Sequence, residues 1–589
     1  MTIASAAAAN RKVKQPSALQ RAVRTGVVFG VIAVYLAIVG LLLMIHARWI
    51  IVDLLSLGHA TLIAIGLGAG ITIARGASGR VTGPILTRSL IAGAVAGGFL
   101  AVLVVAMEIL DLRAIFISLP PALSAMLTFG LGVPLGLIVL VAGGAALAAL
   151  GAALAHSPPI VRKPLIFGSA AVIFFGVFQE LLQLMMQFND LVDAVRGTLY
   201  DWDGLQPQGA VIIFAVAAGG SATWTHYRDR VATAAAGFTA AEHRRVSAVK
   251  VILGIVLVLL FPMLAGSYIG QVMMLVGLYT LMGMGLNLEV GLAGLLDLGF
   301  VAFFAVGAYT TALLTADSPH ALAAYTFLPS LNYWEAMPFA VLASICVGVL
   351  FGIPVLGVRG DYLAVATMGL GEIVRVIVQS DMAAPLLAGA QGILQIPKPW
   401  IGNYELGDPV ALFYVTLAAS AVAAYCAWRL ENSALGRAWM AVRDDEDVAQ
   451  ALGINLVKVK LLAYGLGAAF AGLAGSIFAT MLTSIYPSSF QLLISINVLA
   501  LIIVGGMGSL PGVVVGAAAL VGLPELLREF GEYRYLFYGA VLIIMMRIKP
   551  EGLWPSATRR RELRDAAGEL VPDPADSDAP AAEAHSPGQ

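Results

Sequence analysis

Charge is what this sequence has least of. Asp, Glu, Lys and Arg make up 12% of its 589 residues, about half the share in a soluble domain. Hydrophobic residues make up 60%, and mean hydropathy is +0.90. So little polar surface excludes a water-soluble globule. A net charge of -1 gives no bulk basicity for binding nucleic acid. There are two cysteines, Cys346 and Cys426, both inside apolar runs. They read as packing residues, and neither a disulfide nor a metal site follows from them. The seven histidines form no metal-spaced pair. The phosphate-binding pattern G-x-x-x-x-G-K-[ST] is missing, so ATP is not bound by that route. No Ser-His-Asp or Cys-His set and no group of titratable residues at one depth can be assembled. The sequence therefore names no catalytic residue, no cofactor and no metal ligand, and it does not read as an enzyme.

What is present is a succession of apolar runs of about 20 residues, the length that crosses a bilayer as a helix. The alternating short strands of a membrane barrel are not seen. The fold class expected is all-α, a polytopic transmembrane helical bundle. Six spans are expected in the first half, near 25–45, 52–74, 89–110, 122–154, 164–187 and 209–225. Ten spans or half-spans follow, near 249–266, 270–288, 293–314, 336–357, 361–379, 408–429, 461–482, 491–506, 509–526 and 533–547. The domains expected are a basic N-terminus (1–24), a membrane extension (25–225), a basic hinge (226–248), a core (249–550) and a disordered tail (551–589), the last rich in Pro, Ala and Asp.

Lys and Arg set the orientation. They cluster at Arg11, Lys12, Lys14, Arg21 and Arg24, at Arg75, Arg80 and Arg88, at Arg162 and Lys163, and from Arg228 to Lys250. The loop at 188–208 is mainly acidic. By the positive-inside rule both termini are expected in the cytoplasm of a multi-pass protein of the bacterial inner membrane.

Charged residues inside spans are costly and mark candidate sites. Asp297 lies in "GLLDLGF". Glu372 and Arg375 sit three apart on one helical face, able to pair, and Glu525 and Arg528 repeat that spacing. Glu108 and Glu180 are the first-half cases. Each pair is either a structural ion pair or part of a translocation path. Gly505, Gly506 and Gly508, followed by Pro511, interrupt a helix, as a plain loop or as a broken helix beside a path. Gly467, Ala471 and Gly475 recur every fourth residue, the spacing of close helix packing. Together Asp297, Glu372, Arg375, Gly505, Gly506 and Gly508 form the expected path.

One stretch breaks the apolar pattern. In "LGRAWMAVRDDEDVAQALGINLVKVK", Leu435–Lys460, eight of 26 residues are charged. It falls on the cytoplasmic side of the count. From Asp444 it reads as a short amphipathic helix, with Val448, Ala451, Leu452 and Asn455 at helical spacing and Gly453 breaking the run. A solvated loop is the bland reading of a charge run. The apolar stripe suits instead a helix docked in a groove of a partner.

Four segments carry a resemblance: "GLNLEVGLAGLLDLGFVAFFAVGAYTTALL", "VRGDYLAVATMGLGEIVRVIV", the charged island with its following span, and "LPELLREFGEYRYLFYGAVLIIMMRIKPEGLWP". In this order they resemble the M-type permease subunits of high-affinity branched-chain amino acid ABC importers, over about 270–556. The resemblance implies an importer-permease fold of about ten core helices, to which the first 240 residues add an extension. It implies four kinds of partner: a second permease subunit, two ATP-binding subunits, a periplasmic substrate-binding protein and the lipid bilayer, with no nucleic acid. It also implies an ATPase-coupling helix at Arg443, Asp444, Glu446, Asp447, Ala449 and Gly453, although the Glu-Ala-Ala motif of such helices is matched only loosely. The related importers of urea and short-chain amides are the alternative substrate class. A secondary transporter or membrane enzyme working alone is the alternative of another class.

Overall fold

A computed structural model describes residues 17–556, apart from 77–82, 111, 113–115, 117, 187–189, 237–239, 317–329, 359, 529–532 and 550. The tail from 557 to 589 and the basic residues Arg11, Lys12, Lys14 and Arg80 thus lie outside the described residues. Among these, twelve helices are long and apolar enough to cross a membrane. The strands form two short hairpins, β1 (Trp49–Ile51) with β2 (Leu55–Ser56) and β3 (Trp400–Ile401) with β4 (Tyr404–Glu405). The chain is a polytopic helical membrane protein. It divides into two compact units, Met1–Leu257 and Val258–Gln589.

In the first unit α1 (Ala18–Ile38) starts with a capping box, Ser17 and Gln20 each accepting from the other's backbone N–H. After α2 (Leu41–His46), the helices α3 (Leu57–Arg75) and α4 (Gly83–Ile109) pack on α1 and on each other, and α6 (Val133–His156) packs on α3 and α4, with α5 (Pro121–Leu127) between α4 and α6 in the chain. Their contacts are made by small residues. A Cβ on Gly93 would overlap the Gly144 carbonyl, so α4 and α6 meet backbone to backbone, as membrane helices must where lipid offers no hydrophobic drive. The unit continues through α7 (Pro159–Val177), α8 (Gln179–Met185), α9 (Asp190–Leu199) and α10 (Pro207–Ala236). Ile50, Val172, Tyr200, Leu205 and Ile213 gather these around the first hairpin. The runs expected at 122–154 and 164–187 are each divided. Gly130 and Gly132 take positive φ between α5 and α6, and Phe178 leaves helical geometry between α7 and α8.

α11 (Ala240–Leu286) carries Pro262 and breaks at Gly266, where φ is +83°. This is where the sequence divides two spans. A π-helical turn, Asn287–Leu292, follows. Residues 293–300 are not helical, contrary to the span expected at 293–314, and α12 covers only Val301–Thr315. The reasons are local: Gly294 has φ +73°, and the Asp297 carboxylate accepts the Gly299 N–H at 2.6 Å.

The remaining helices are α13 (Tyr333–Val355), α14 (Asp361–Gln379), the short α15 (Ala384–Leu387), α16 (Pro409–Glu431), α17 (Ala434–Asp444), α18 (Glu446–Ala451), α19 (Leu456–Leu482), α20 (Leu492–Gly505), α21 (Leu510–Ala517), α22 (Leu523–Leu526) and α23 (Tyr533–Ile548). A second π-helical turn, Ala518–Gly522, joins α21 to α22. α19 is the most deeply buried span. α12 and α13 pack along it, with Gly475 against the Phe304 carbonyl and Gly348 against Tyr464 and Ala468. The small-residue stripe therefore serves close packing. Cys346 and Cys426 do not: both lie on outward faces of α13 and α16, where small residues such as Ala340 and Ala423 take the inward positions.

Candidate functional site

The second unit buries charge. Glu289, in the π-helical turn, is fully buried, and Asp297 is 1% exposed. The two carboxyl groups face each other. Both Glu289 oxygens, Asp297 Oδ2 and the Tyr464 hydroxyl are buried without a hydrogen-bond partner among the described residues, an exception that calls for a reason beyond packing. Gly467 makes the room. A Cβ there would overlap Glu289 Oε1, so a position that the sequence marks as helix packing also forms the cradle of a carboxyl. Thr367 Oγ1 accepts from Leu298 N–H at 3.0 Å, and Ser495 Oγ from Val301 N–H at 2.9 Å. These two hydroxyls from α14 and α20 satisfy N–H groups at the start of α12.

A second group surrounds the interruption between α20 and α21. Gly506 and Gly508 have φ of +121° and +74°. Gly508 N–H donates to Asn287 Oδ1 at 2.8 Å, tying this loop to the π-helical turn. A Cβ on Gly505 would overlap the Gly512 carbonyl, so the two half-helices fold against each other. From beyond α23, Leu553 and Trp554 donate their N–H groups to the carbonyls of Val504 and Gly505, both at 2.8 Å. The tail expected from 551 thus begins docked, because it caps the otherwise unpaired C-terminal carbonyls of α20.

Glu372 and Arg375 pair as their spacing predicts, Arg375 Nε donating to both carboxylate oxygens at 2.9 and 3.0 Å. Glu372 lines a cleft of about 130 Å³ with Leu298, Met368 and Phe490. Glu525 and Arg528 pair at 3.6 Å. In the first unit Glu180 approaches Arg48 at 3.8 Å, and Glu108 lines a separate pocket.

The structure thus splits the expected path residues. Asp297 is enclosed with Glu289, Glu372 borders the cleft with Arg375 paired to it, and Gly505 ends α20, with Gly506 and Gly508 following it and Gly508 tied to Asn287 of the π-helical turn. Among the described residues no group of three or more His, Cys, Asp or Glu could hold a metal ion.

The short helix expected from Asp444 is α18, starting two residues later, and a further helix of the island, α17, precedes it. Asp445, extended at φ -160°, ends α17 and caps α18, its Oδ1 accepting from Asp447 N–H at 2.9 Å and Val448 N–H at 3.0 Å. Gly453, at φ +89°, then turns the chain into α19, which Asn455 caps. Trp439 is fully buried and donates Nε1–H to the Val459 carbonyl at 2.9 Å. Glu446 is not free for a partner, since Oε1 meets the buried Lys460 Nζ at 2.7 Å. Arg443 donates from Nη1 to the Gly291 carbonyl at 2.9 Å. Ala449 points into the core, whereas Asp444, Asp447, Val448, Ala451 and Leu452 are exposed. Three of the four positions of the expected stripe are therefore uncovered apolar side chains.

Sequence reasoning missed Glu289 and Asn287. Glu289 had a signal, since an acid alone in "GLNLEVGLAG" is as costly in a span as Asp297. Asn287 had none, because its role depends on a loop 221 residues away.

Helices interrupted inside an apolar bundle, with polar groups buried at the interruptions, are a feature shared with membrane transporters. Residues 268–546 match the family described as the permease component of the branched-chain amino acid transport system. The high-affinity branched-chain amino acid transport system permease protein LivM of Escherichia coli K12 is 36% identical over 336 residues, covering 53% of this chain and 76% of the relative. The LivM protein of Salmonella typhimurium is 38% identical over 310 residues, 49% of this chain and 70% of the relative. The LivH protein of the same organism is 22% identical over 291 residues, 47% and 90% respectively. No solved structure matches. The chain belongs to the branched-chain amino acid transport permease family, as a LivM-type member.

Proposed function

We propose that this chain is the M-type permease subunit of an ABC importer for branched-chain amino acids. It forms the translocation path with a second permease subunit, receives the solute from a periplasmic binding protein, and is driven by two separate ATP-binding subunits. Both termini and the charged island lie in the cytoplasm of the inner membrane. The observation that carries this reading, beside the family, is α18. It is a capped helix outside the spans with Val448, Ala451 and Leu452 uncovered, the form of a helix that docks into a partner's groove. The Glu372–Arg375 pair and its cleft form one wall of the path.

The test is uptake in vesicles holding the complete complex. Leucine uptake is expected to require ATP and the binding protein, and to be competed by valine and isoleucine. Competition by urea or short amides alone would overturn the substrate class. Uptake by this chain alone on an ion gradient would overturn the whole reading.

A further inference from the structure

Arg443 is exposed and meets Asp444 at 3.4 Å, yet its Nη1 also reaches across to the Gly291 carbonyl. We propose that Arg443 is a positioning residue that carries movement of α17 and α18 to the π-helical turn and, through Asn287, to the broken helix between α20 and α21. This rests on reading α18 as the ATPase-docking helix.

The geometry begins with the end of the π-helical turn, whose last carbonyls have no partner within the helix. Two are taken by the following chain, Leu288 O by Ala293 N–H at 3.1 Å and Glu289 O by Leu295 N–H at 2.8 Å. The Gly291 carbonyl is instead taken by Arg443, a cation from another element at the negative end of a helix. Gly294 holds the arginine stem from below. Its φ is +73°, and a Cβ there would lie 2.7 Å from Arg443 Cγ. The other side of the turn is tied to the broken helix by Asn287 and Gly508.

The island has other anchors, of a different kind. Glu446 with Lys460, and Trp439 with the Val459 carbonyl, fasten it to the start of α19. Those contacts make α17, α18 and the start of α19 move together. The Arg443 hydrogen bond joins that body to the turn bearing Glu289 and Asn287. A charged hydrogen bond at 2.9 Å weakens steeply when stretched, so a shift of α17 either breaks it or pulls the turn along.

The experiment uses the full complex in vesicles and reads three quantities for Arg443→Ala, Arg443→Lys and Gly294→Ala: capture of the ATP-binding subunits, ATP hydrolysis, and leucine taken up per ATP. For Arg443→Ala, capture is expected within about twofold of wild type, while uptake per ATP falls about tenfold or more, the scale of a lost charged hydrogen bond. Gly294→Ala should move in the same direction. Asn287→Ala combined with Arg443→Ala should lower uptake per ATP no further than the worse single change. Wild-type uptake per ATP in Arg443→Ala would overturn the proposal. So would loss of ATPase capture by a folded Arg443→Ala protein, which would make Arg443 a contact residue instead. If Arg443→Ala does not assemble, Arg443→Lys decides, with lowered uptake per ATP supporting the proposal and an unchanged value overturning it. Val448→Asp with Leu452→Asp separates the underlying reading. If that double variant still captures the ATPase, the docking role of α18 fails, whatever Arg443 does.

Discussion

The two units are both apolar helical bundles, yet they treat charge in opposite ways. Among the described residues the first unit buries Ser56, Ser89, Thr128 and Gln179, and no charged side chain. The second buries Glu289, Asp297 and Lys460 along with Asn287. Both units pack helices through small residues and both interrupt them, but among the described residues only the second has a buried charge at an interruption, Asp297 within 293–300. A charge inside a membrane bundle is retained at a cost, and the buried charges lie in the unit that contains the family match, from residue 268.

The sharpest way to break this contrast is to remove one partner of a buried charge pair. Glu446→Ala leaves Lys460 buried and unpaired, and should cost about 3 kcal/mol of stability, read as a fall in the unfolding midpoint in detergent. No substitution of an exposed first-unit charge such as Arg24 should approach this. Next come two glycines. Gly467→Ala forces the Glu289 carboxyl aside, and Gly70→Ala overlaps the Ala148 carbonyl. Each should destabilise by roughly 1–3 kcal/mol as overpacking, but only Gly467→Ala should also reduce uptake by the assembled complex. Equal loss of uptake in both would erase the functional contrast.

A smaller effect belongs to the first unit. His46 shares a 2.7 Å hydrogen bond with Ser56. Burial, and then the neighbouring His59, lower its pKa below the ordinary 6.5. A histidine held neutral in the fold takes up its proton more readily when unfolded. Stability is thus intact above pH 6.5 and declines as pH falls below it. The unfolding midpoint should drop modestly between pH 7.5 and 5.5 (assay values, about one unit either side of the ordinary histidine range), and His46→Gln should flatten that drop. The smallest effect is expected from Cys346→Ala with Cys426→Ala, since both side chains face outward. Stability should change by no more than about 0.5 kcal/mol each.

Much of this was legible because bilayer thickness dictates helix length. The run at 361–379 became α14 residue for residue, and the three-residue spacing of Glu372 and Arg375 became an ion pair. Helix breaks were legible where glycine stood alone, as at Gly266 and Gly453. What was hidden depends on distant partners. The 293–300 stretch is as apolar as a span, and nothing local tells that Ser495 and Thr367 will satisfy its backbone. The partners of Arg443 and Glu446, Gly291 and Lys460, were hidden because they belong to other elements.

The docking of Leu553 and Trp554 on Val504 and Gly505 has a consequence for biosynthesis. Leu553 leaves the ribosome 49 residues after Val504, which at about 5–20 residues per second is a delay of several seconds. α20 therefore enters the membrane before its last carbonyls have their permanent donors. The interrupted pair of half-helices is completed only when nearly the whole described chain has been made, so ribosomes stalled before Leu553 should hold a second unit whose broken helix is still open.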